Sequence, residues 1–304
     1  MNFLDLLNED LLSSVLRALI PILLAALGGM LAGRVGIFNI GLEGMILVGA
    51  FSGVAASFFT SSWMLGVIVA MVAGTLFSFI LGYGAIYRKG DPIVLAIAMN
   101  ILAVGMTSFL LVAIFDVQGV FQDPGIVGIP VWRIPVLADI PWIGAFFSLT
   151  PLGYLALLLV PTLWIVLFRT PLGLRLRGVG ERPLAAATMG VDPQRYQLGA
   201  VLASGALAGL GGAQLALGNV VQFTENMSAG RGWIAVVAVM LARAHPVGVL
   251  GAALLFGFAD ALGFRLQSFG LPQQLTDAGP YVVTLIVLIL MSKRFRRTRE
   301  AALA

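Results

Sequence analysis

Along the chain, long apolar stretches alternate with short polar breaks, and their lengths predict the elements. A helix rising 1.5 Å per residue needs about 20 mostly apolar residues to cross a bilayer core. Stretches that reach or approach this length run over 11–31, 38–59, 63–87, 92–115, 151–168, 196–216, 231–243, 247–264 and 279–292. Those at 231–243 and 279–292 are short enough to be re-entrant, so the expected count is about nine, within eight to ten. No window alternates apolar and polar residues as a barrel strand does. The pattern therefore predicts an all-α, polytopic helical membrane protein, a single transmembrane domain over 1–304. The first stretch does not read as a cleaved signal, because Asp5, Glu9 and Asp10 stand where such a signal is basic.

Composition sharpens this reading. Hydrophobic residues make up 60% of the 304 positions and charged ones 11%, against about 25% charged in soluble domains. A water-soluble enzyme is excluded. There is no cysteine, and His245 is the only histidine; disulfides, thiolate sites and His-rich metal sites are excluded with them. The 37 glycines and 14 prolines suit helices that pack closely and break in places. With the N-terminus outside and nine crossings, the inner side receives Arg34, Arg88, Lys89, Arg169, Arg175, Arg177, Arg182, Arg195, Arg243 and the tail Lys293, Arg294, Arg296, Arg297 and Arg299. Only Arg17, Arg133, Arg231 and Arg265 fall near the outer side. That asymmetry predicts a cytoplasmic C-terminus, with the basic tail as an anchor.

Two loops stand out. The outer one, 116–148, holds Asp116, Asp123 and Asp139, frequent Gly and Pro, and the aromatics Trp132, Trp142, Phe146 and Phe147, which predicts an ordered cap or interfacial helix. The inner one, 169–195, carries an Ala-rich centre between Pro183 and Gly190. Proline suits a first helical turn and glycine the residue just past the end, so a short surface helix is predicted there.

A faint repeat also emerges. Leu27-Gly28-Gly29, Asn39 and Gly44-Met45-Ile46 are echoed by Leu210-Gly211-Gly212, Asn219 and Gly232-Trp233-Ile234. The charge count orients the two copies oppositely, as in transporters built from inverted repeats with broken helices. Polar residues inside the spans are costly and mark pathways or helix contacts. Asn39 and Glu43 either hold a broken helix together or line a path. Asn100 either bonds a neighbouring helix or faces a polar substrate. The segment from Asn219 through Gln222 to Asn226 reads as a polar interruption or an outer loop, and Asp260 as a helix–helix partner more readily than a proton relay. His245, before Pro246, suits a tight inner turn, while the pairs Gly49/Gly53 and Gly205/Gly209 fit close helix packing.

No phosphate-binding loop is present, since the only lysines, Lys89 and Lys293, lack its context. Zinc-protease and nucleophile-elbow motifs are missing too. The chain reads as no enzyme, without a cofactor of its own. Transport energy must come from an ion gradient or a partner.

Against that background, Gly36-Ile37-Phe38-Asn39-Ile40-Gly41-Leu42-Glu43-Gly44-Met45 resembles the signature of permease subunits of ATP-binding-cassette importers for nucleosides. These are related to ribose and branched-chain amino acid permeases. The run from Leu176 to Ala187 is similar to the same group's cytoplasmic coupling loop, and Gly230-Arg231-Gly232-Trp233-Ile234-Ala235 also matches. The resemblance covers roughly 27–110 and 172–292. It departs at Gly178 and Arg182, where relatives more usually carry Ala and Asn. It implies a bacterial cytoplasmic-membrane protein paired with a second, longer permease subunit. It further implies two ATPase subunits inside, holding ATP and Mg, and a binding lipoprotein or periplasmic protein outside. Coupling to the ATPase would fall to Glu181, Arg182, Pro183, Leu184, Ala185, Ala186, Ala187 and Gly190. The cargo would be a small neutral solute, for which Asn39, Glu43, Asn100, Asn219, Gln222 and Trp233 are the expected pathway residues; no nucleic-acid partner is implied. The alternatives are an ion-coupled secondary transporter, using Glu43 or Asp260, and a sugar or branched-chain amino acid permease.

Overall fold

Helix starts are marked in this sequence by a capping residue followed by proline. Asp91, Thr150, Thr170 and Asp192 each accept backbone N–H groups through the side chain, and Pro92, Pro151, Pro171 and Pro193 occupy the first turn. Proline loses nothing there, because a first-turn N–H has no intrahelical partner.

The computed structural model describes residues 9–135, 140, 144–267, 279 and 282. The helices are α1 (Glu9–Arg34), α2 (Leu42–Thr60), α3 (Trp63–Gly82), α4 (Pro92–Phe115), α5 (Pro151–Arg169), α6 (Pro171–Glu181), α7 (Pro183–Thr188), α8 (Pro193–Ala213), α9 (Arg231–Leu241) and α10 (Pro246–Gln267). Tyr83–Tyr87 and Gln214–Val220 prolong α3 and α8 as wider π-helical turns. Among the described residues, seven helices are long and apolar enough to span a membrane. The expected span at 279–292 and the basic tail lie outside the described residues, apart from positions 279 and 282.

The segment 231–243 departs from a full helical span. Its helix has 11 residues, about 16 Å at 1.5 Å per residue, half of a core about 30 Å thick. Between the π-helical end of α8 and the start of α9 the chain is irregular apart from one short strand. Here β4 (Phe223–Thr224) pairs antiparallel with β1 (Val120–Phe121). The loop 116–148 is ordered by strand pairing rather than by an α-helix: β2 (Trp132–Arg133) pairs with β3 (Ser148–Leu149), and Gly144–Phe147 form a 3₁₀ turn. Its Asp139 and Trp142 lie outside the described residues. Ser57 of α2 ties this cap down, donating to the Val127 carbonyl at 2.8 Å and accepting its N–H at 3.0 Å.

Helices α1, α2 and α8 form the buried centre, whereas α3, α4 and α5 expose broad apolar faces. The closest packing lies between glycines. A Cβ built on Gly49 would stand 2.5 Å from the Gly209 Cα, so any side chain there would push two backbones apart. Helices α1 and α8 interlock: Gly28 of α1 lies against the Ser204 backbone of α8, and Gly211 of α8 against the Pro21 carbonyl of α1. One end of the bundle collects basic side chains. There the Arg34 Nε donates to the Ala244 carbonyl at 2.6 Å, and the Phe168 ring lies beside both Arg34 and Arg177.

Candidate functional site

The strongest concentration of polar groups in the apolar spans lies where the starts of α2 and α9 meet. Residues 35–41 run irregularly between α1 and α2, so α2 begins inside the bundle with unsatisfied N–H groups of its own. The Glu43 carboxylate sits in that first turn and faces the start of α9. It accepts the Gly230 N–H at 2.8 Å and the Gly232 N–H at 2.7 Å. A glycine is required at 232, because a Cβ there would collide with the Glu43 backbone. The N-terminus of α9 thus donates to an anion that itself stands in the first turn of α2, a placement in which helix dipoles stabilise negative charge.

The two asparagines complete this junction. Asn39 accepts the Gly41 N–H at 2.9 Å and donates to the Ser204 hydroxyl at 2.9 Å. Asn100 of α4 accepts the Gly44 N–H at 2.9 Å and donates to the Ile40 carbonyl at 3.2 Å. Each amide therefore uses its carbonyl and its NH₂ within the chain, and Asn39 is 3% exposed. The structure brings Asn39, Glu43 and Asn100 together around the break.

Asn219 and Gln222 belong to a second cluster, at the end of the bundle opposite the basic one. The Thr150 hydroxyl donates to Gln214 Oε1 at 2.7 Å, Gln214 Nε2 to Asn219 Oδ1 at 3.2 Å, and Asn219 Nδ2 to the Arg17 carbonyl at 3.2 Å. Gln222 donates to Thr224 at 3.4 Å. The polar interruption 219–226 is thus held in place, with Glu225 accepting the Gly119 N–H at 3.1 Å. Trp233 lies in the first turn of α9, 41% exposed.

Several participants escaped the sequence reading. Gln214 was visible as a lone amide in an apolar run and could have been found on that ground; Ser204 and Thr150, as small hydroxyls, gave no such signal. Arg231, counted from its charge towards the outer side, starts α9 and pairs with Asp260 of α10 at 3.5 Å, both side chains under one-fifth exposed. That pairing gives Asp260 the helix–helix role.

At the basic end, α6 closes on α1, with Gly180 against the Arg34 carbonyl. Helix α7 then forms over Pro183–Thr188, and Gly190, at φ +80°, ends the turn in the left-handed region. The Gly190 and Val191 N–H groups return to the Ala187 and Ala186 carbonyls. Leu184 and Met189 project outward, 85% and 83% exposed, while Ala186 is half-buried against the bundle. An exposed apolar pair on a short capped helix is an unpartnered contact surface.

With this geometry established, comparisons with known proteins place the chain. A family model described as branched-chain amino acid transport system / permease component matches residues 11–291. The guanosine ABC transporter permease protein NupQ of Bacillus subtilis is 38% identical over 283 residues, 88% of this chain and 87% of the relative. The nucleoside ABC transporter permease protein NupC of Lactococcus lactis is 36% identical over 282 residues, 89% of this chain and 88% of the relative. TsgC13 of Haloferax volcanii, a permease protein named for glucose, is 37% identical over 266 residues, 86% of this chain and 79% of the relative.

Proposed function

The chain belongs to the permease-component family of branched-chain amino acid transport systems and is a permease subunit of an ATP-binding-cassette importer, and from that premise we propose that it carries a nucleoside across the bacterial cytoplasmic membrane. The observation that supports the cargo is the 36–38% identity to two permeases named for guanosine or nucleoside transport, over seven-eighths of the chain, joined to the motif Gly36–Met45. A nucleoside is neutral and rich in donors and acceptors, so its path needs amides and aromatic faces rather than fixed charges. Here the half-exposed Trp233 offers an indole face beside the α2–α9 junction. Asn39, Glu43 and Asn100 hold the wall of that passage, and Asn219 and Gln222 lie towards its outer mouth.

Energy enters at the basic end, which faces the cytoplasm in this reading, as does the C-terminus. Helix α7, with Leu184 and Met189 outermost and Glu181, Arg182, Pro183, Ala185, Ala187 and Gly190 shaping it, docks a separate ATPase subunit that holds ATP and Mg. A second permease subunit covers the apolar faces that one chain leaves exposed, and an external binding protein delivers the cargo. Each state of the ATPase favours one arrangement of the two permeases, which switches access from one side to the other. Both carboxylates that an ion-coupled carrier would use are engaged, Glu43 by two N–H groups and Asp260 by Arg231.

The test is uptake of labelled guanosine into vesicles holding the full complex. Uptake should require ATP, survive collapse of the proton and sodium gradients, and resist excess glucose. Competition by glucose would transfer the chain to the sugar permeases; gradient-driven uptake without ATP would make it a secondary carrier.

A further inference from the structure

A cleft of about 840 Å³ opens at the basic end, between α1, α5, α6 and the start of α8. Its size falls within the range of roughly 300–1,000 Å³ typical of small-molecule sites. Its polarity changes along its length. Leu31, Leu163, Val166 and Ala203, from within the spans, form one wall. At the membrane boundary the lining becomes Arg175, Asp192, Arg195 and Tyr196.

The charges at this rim are unequal. Arg175 donates to the Tyr196 hydroxyl at 3.0 Å, a neutral partner that leaves its charge uncompensated. Arg195 pairs with Asp192 at 2.9 Å. That single carboxylate is shared, because it also caps α8 through the Gln194 and Arg195 N–H groups. Two guanidiniums thus stand against one carboxylate already accepting from a helix start. Guanidinium groups match phosphate oxygens in a planar, two-pronged geometry. An apolar slot inside the spans, with a net-positive mouth at their ends, fits a molecule of the same graded polarity.

We propose that this cleft binds an anionic phospholipid of the adjoining leaflet, its phosphate between Arg175 and Arg195 and an acyl chain along Leu31, Leu163 and Val166. Basic pockets between transmembrane helices recognise acidic headgroups on this principle. The site is separate from the α2–α9 junction, and lipid binding here does not depend on which solute is carried. It adjoins the coupling segment, since Met189 and Gly190 also line the cleft.

The test uses the assembled complex in nanodiscs containing phosphatidylcholine with or without phosphatidylglycerol, with retained lipid counted by native mass spectrometry. Wild type should keep phosphatidylglycerol in preference to phosphatidylcholine through mild delipidation. Arg175→Gln removes one cation and should lower that retention about fivefold, the effect of one basic residue at a lipid surface. Gly199→Phe blocks the slot while leaving both cations. A Cβ at Gly199 meets nothing within 4 Å, so a side chain can start into the cleft there; with assembly and melting temperature checked against wild type, retention should fall again. The proposal is overturned if wild type shows no preference, as when a protein partner fills the cleft, or if either variant holds lipid as wild type does. It is equally overturned if inorganic phosphate at millimolar concentration displaces the lipid, which would make the site one for a free anion.

Discussion

The Glu43 carboxylate on α2 accepts the backbone N–H of Gly232 on α9 at 2.7 Å, across 189 residues of sequence. The bond joins α2 and α9 at the point where both helices begin. Glu43→Ala would leave the Gly230 and Gly232 N–H groups without an acceptor in an apolar interior, at roughly 1–3 kcal/mol for each. The purified complex should therefore melt at a markedly lower temperature. Glu43→Gln keeps one carbonyl oxygen and should fall between. A Glu43→Ala complex as stable as wild type would show that the carboxylate does not hold the junction.

In the proposed passage Asn100 belongs to the wall and Trp233 to the lining, and two variants tell these roles apart. Asn100→Leu removes the partners of the Gly44 N–H and the Ile40 carbonyl, a loss of about 1–3 kcal/mol. It should lower the melting temperature first, with guanosine uptake per folded complex close to wild type. Trp233→Ala removes a half-exposed ring and should leave the melting temperature near wild type while uptake drops severalfold. Normal stability with lost uptake in Asn100→Leu would place that amide in contact with cargo instead.

These contacts mark what the sequence could and could not convey. Apolar length is a local property, and the long spans were legible from it. The bounds of α7 were legible too, because Pro183 and Gly190 act on the backbone within one turn. The clamp by Glu43 was not, since nothing periodic links position 43 to position 232. The cap over 116–148 was legible as ordered, but how it is ordered was not. Its aromatics suited an ordered cap or an interfacial helix alike, and the strand pairing of Phe121 with Phe223 that decides between them is fixed by a distant segment. The pairing of Arg231 with Asp260 was not legible either, because counting charges assigns a side of the membrane and names no partner, whereas the partner here stands on another helix.

Leu184 is the sharper probe of the proposed coupling surface. Ala186 packs against the bundle, so a bulky charge there disturbs α7 itself as well as any docking partner. Leu184 is 85% exposed and contributes little to the fold. Leu184→Asp should leave membrane insertion and pairing with the second permease intact while the ATPase no longer co-purifies. ATPase binding and coupled uptake at wild-type levels in Leu184→Asp would move the docking surface elsewhere.

The Arg231–Asp260 pair yields the last prediction, because its two halves should not behave additively. Both side chains are largely buried, at 3.5 Å separation. Asp260→Ala would leave the Arg231 charge in an apolar setting, and breaking a buried pair this way costs about 3–5 kcal/mol. Arg231→Met would take from Asp260 its Arg231 partner and should also destabilise. Replacing both, Arg231→Met with Asp260→Leu, removes both charges together with the desolvation they carry, and is often near neutral. Melting temperatures of the two single variants and the double variant therefore form a cycle. The double should be more stable than either single, with a coupling well above the few tenths of a kcal/mol seen between independent sites. Its uptake then separates structure from transport. A stable double variant with normal guanosine uptake assigns the pair to holding α9 against α10. A stable double variant that no longer transports assigns the charges to the moving junction. Strict additivity of the two single losses would show that the ion pair does not bind these helices to each other at all.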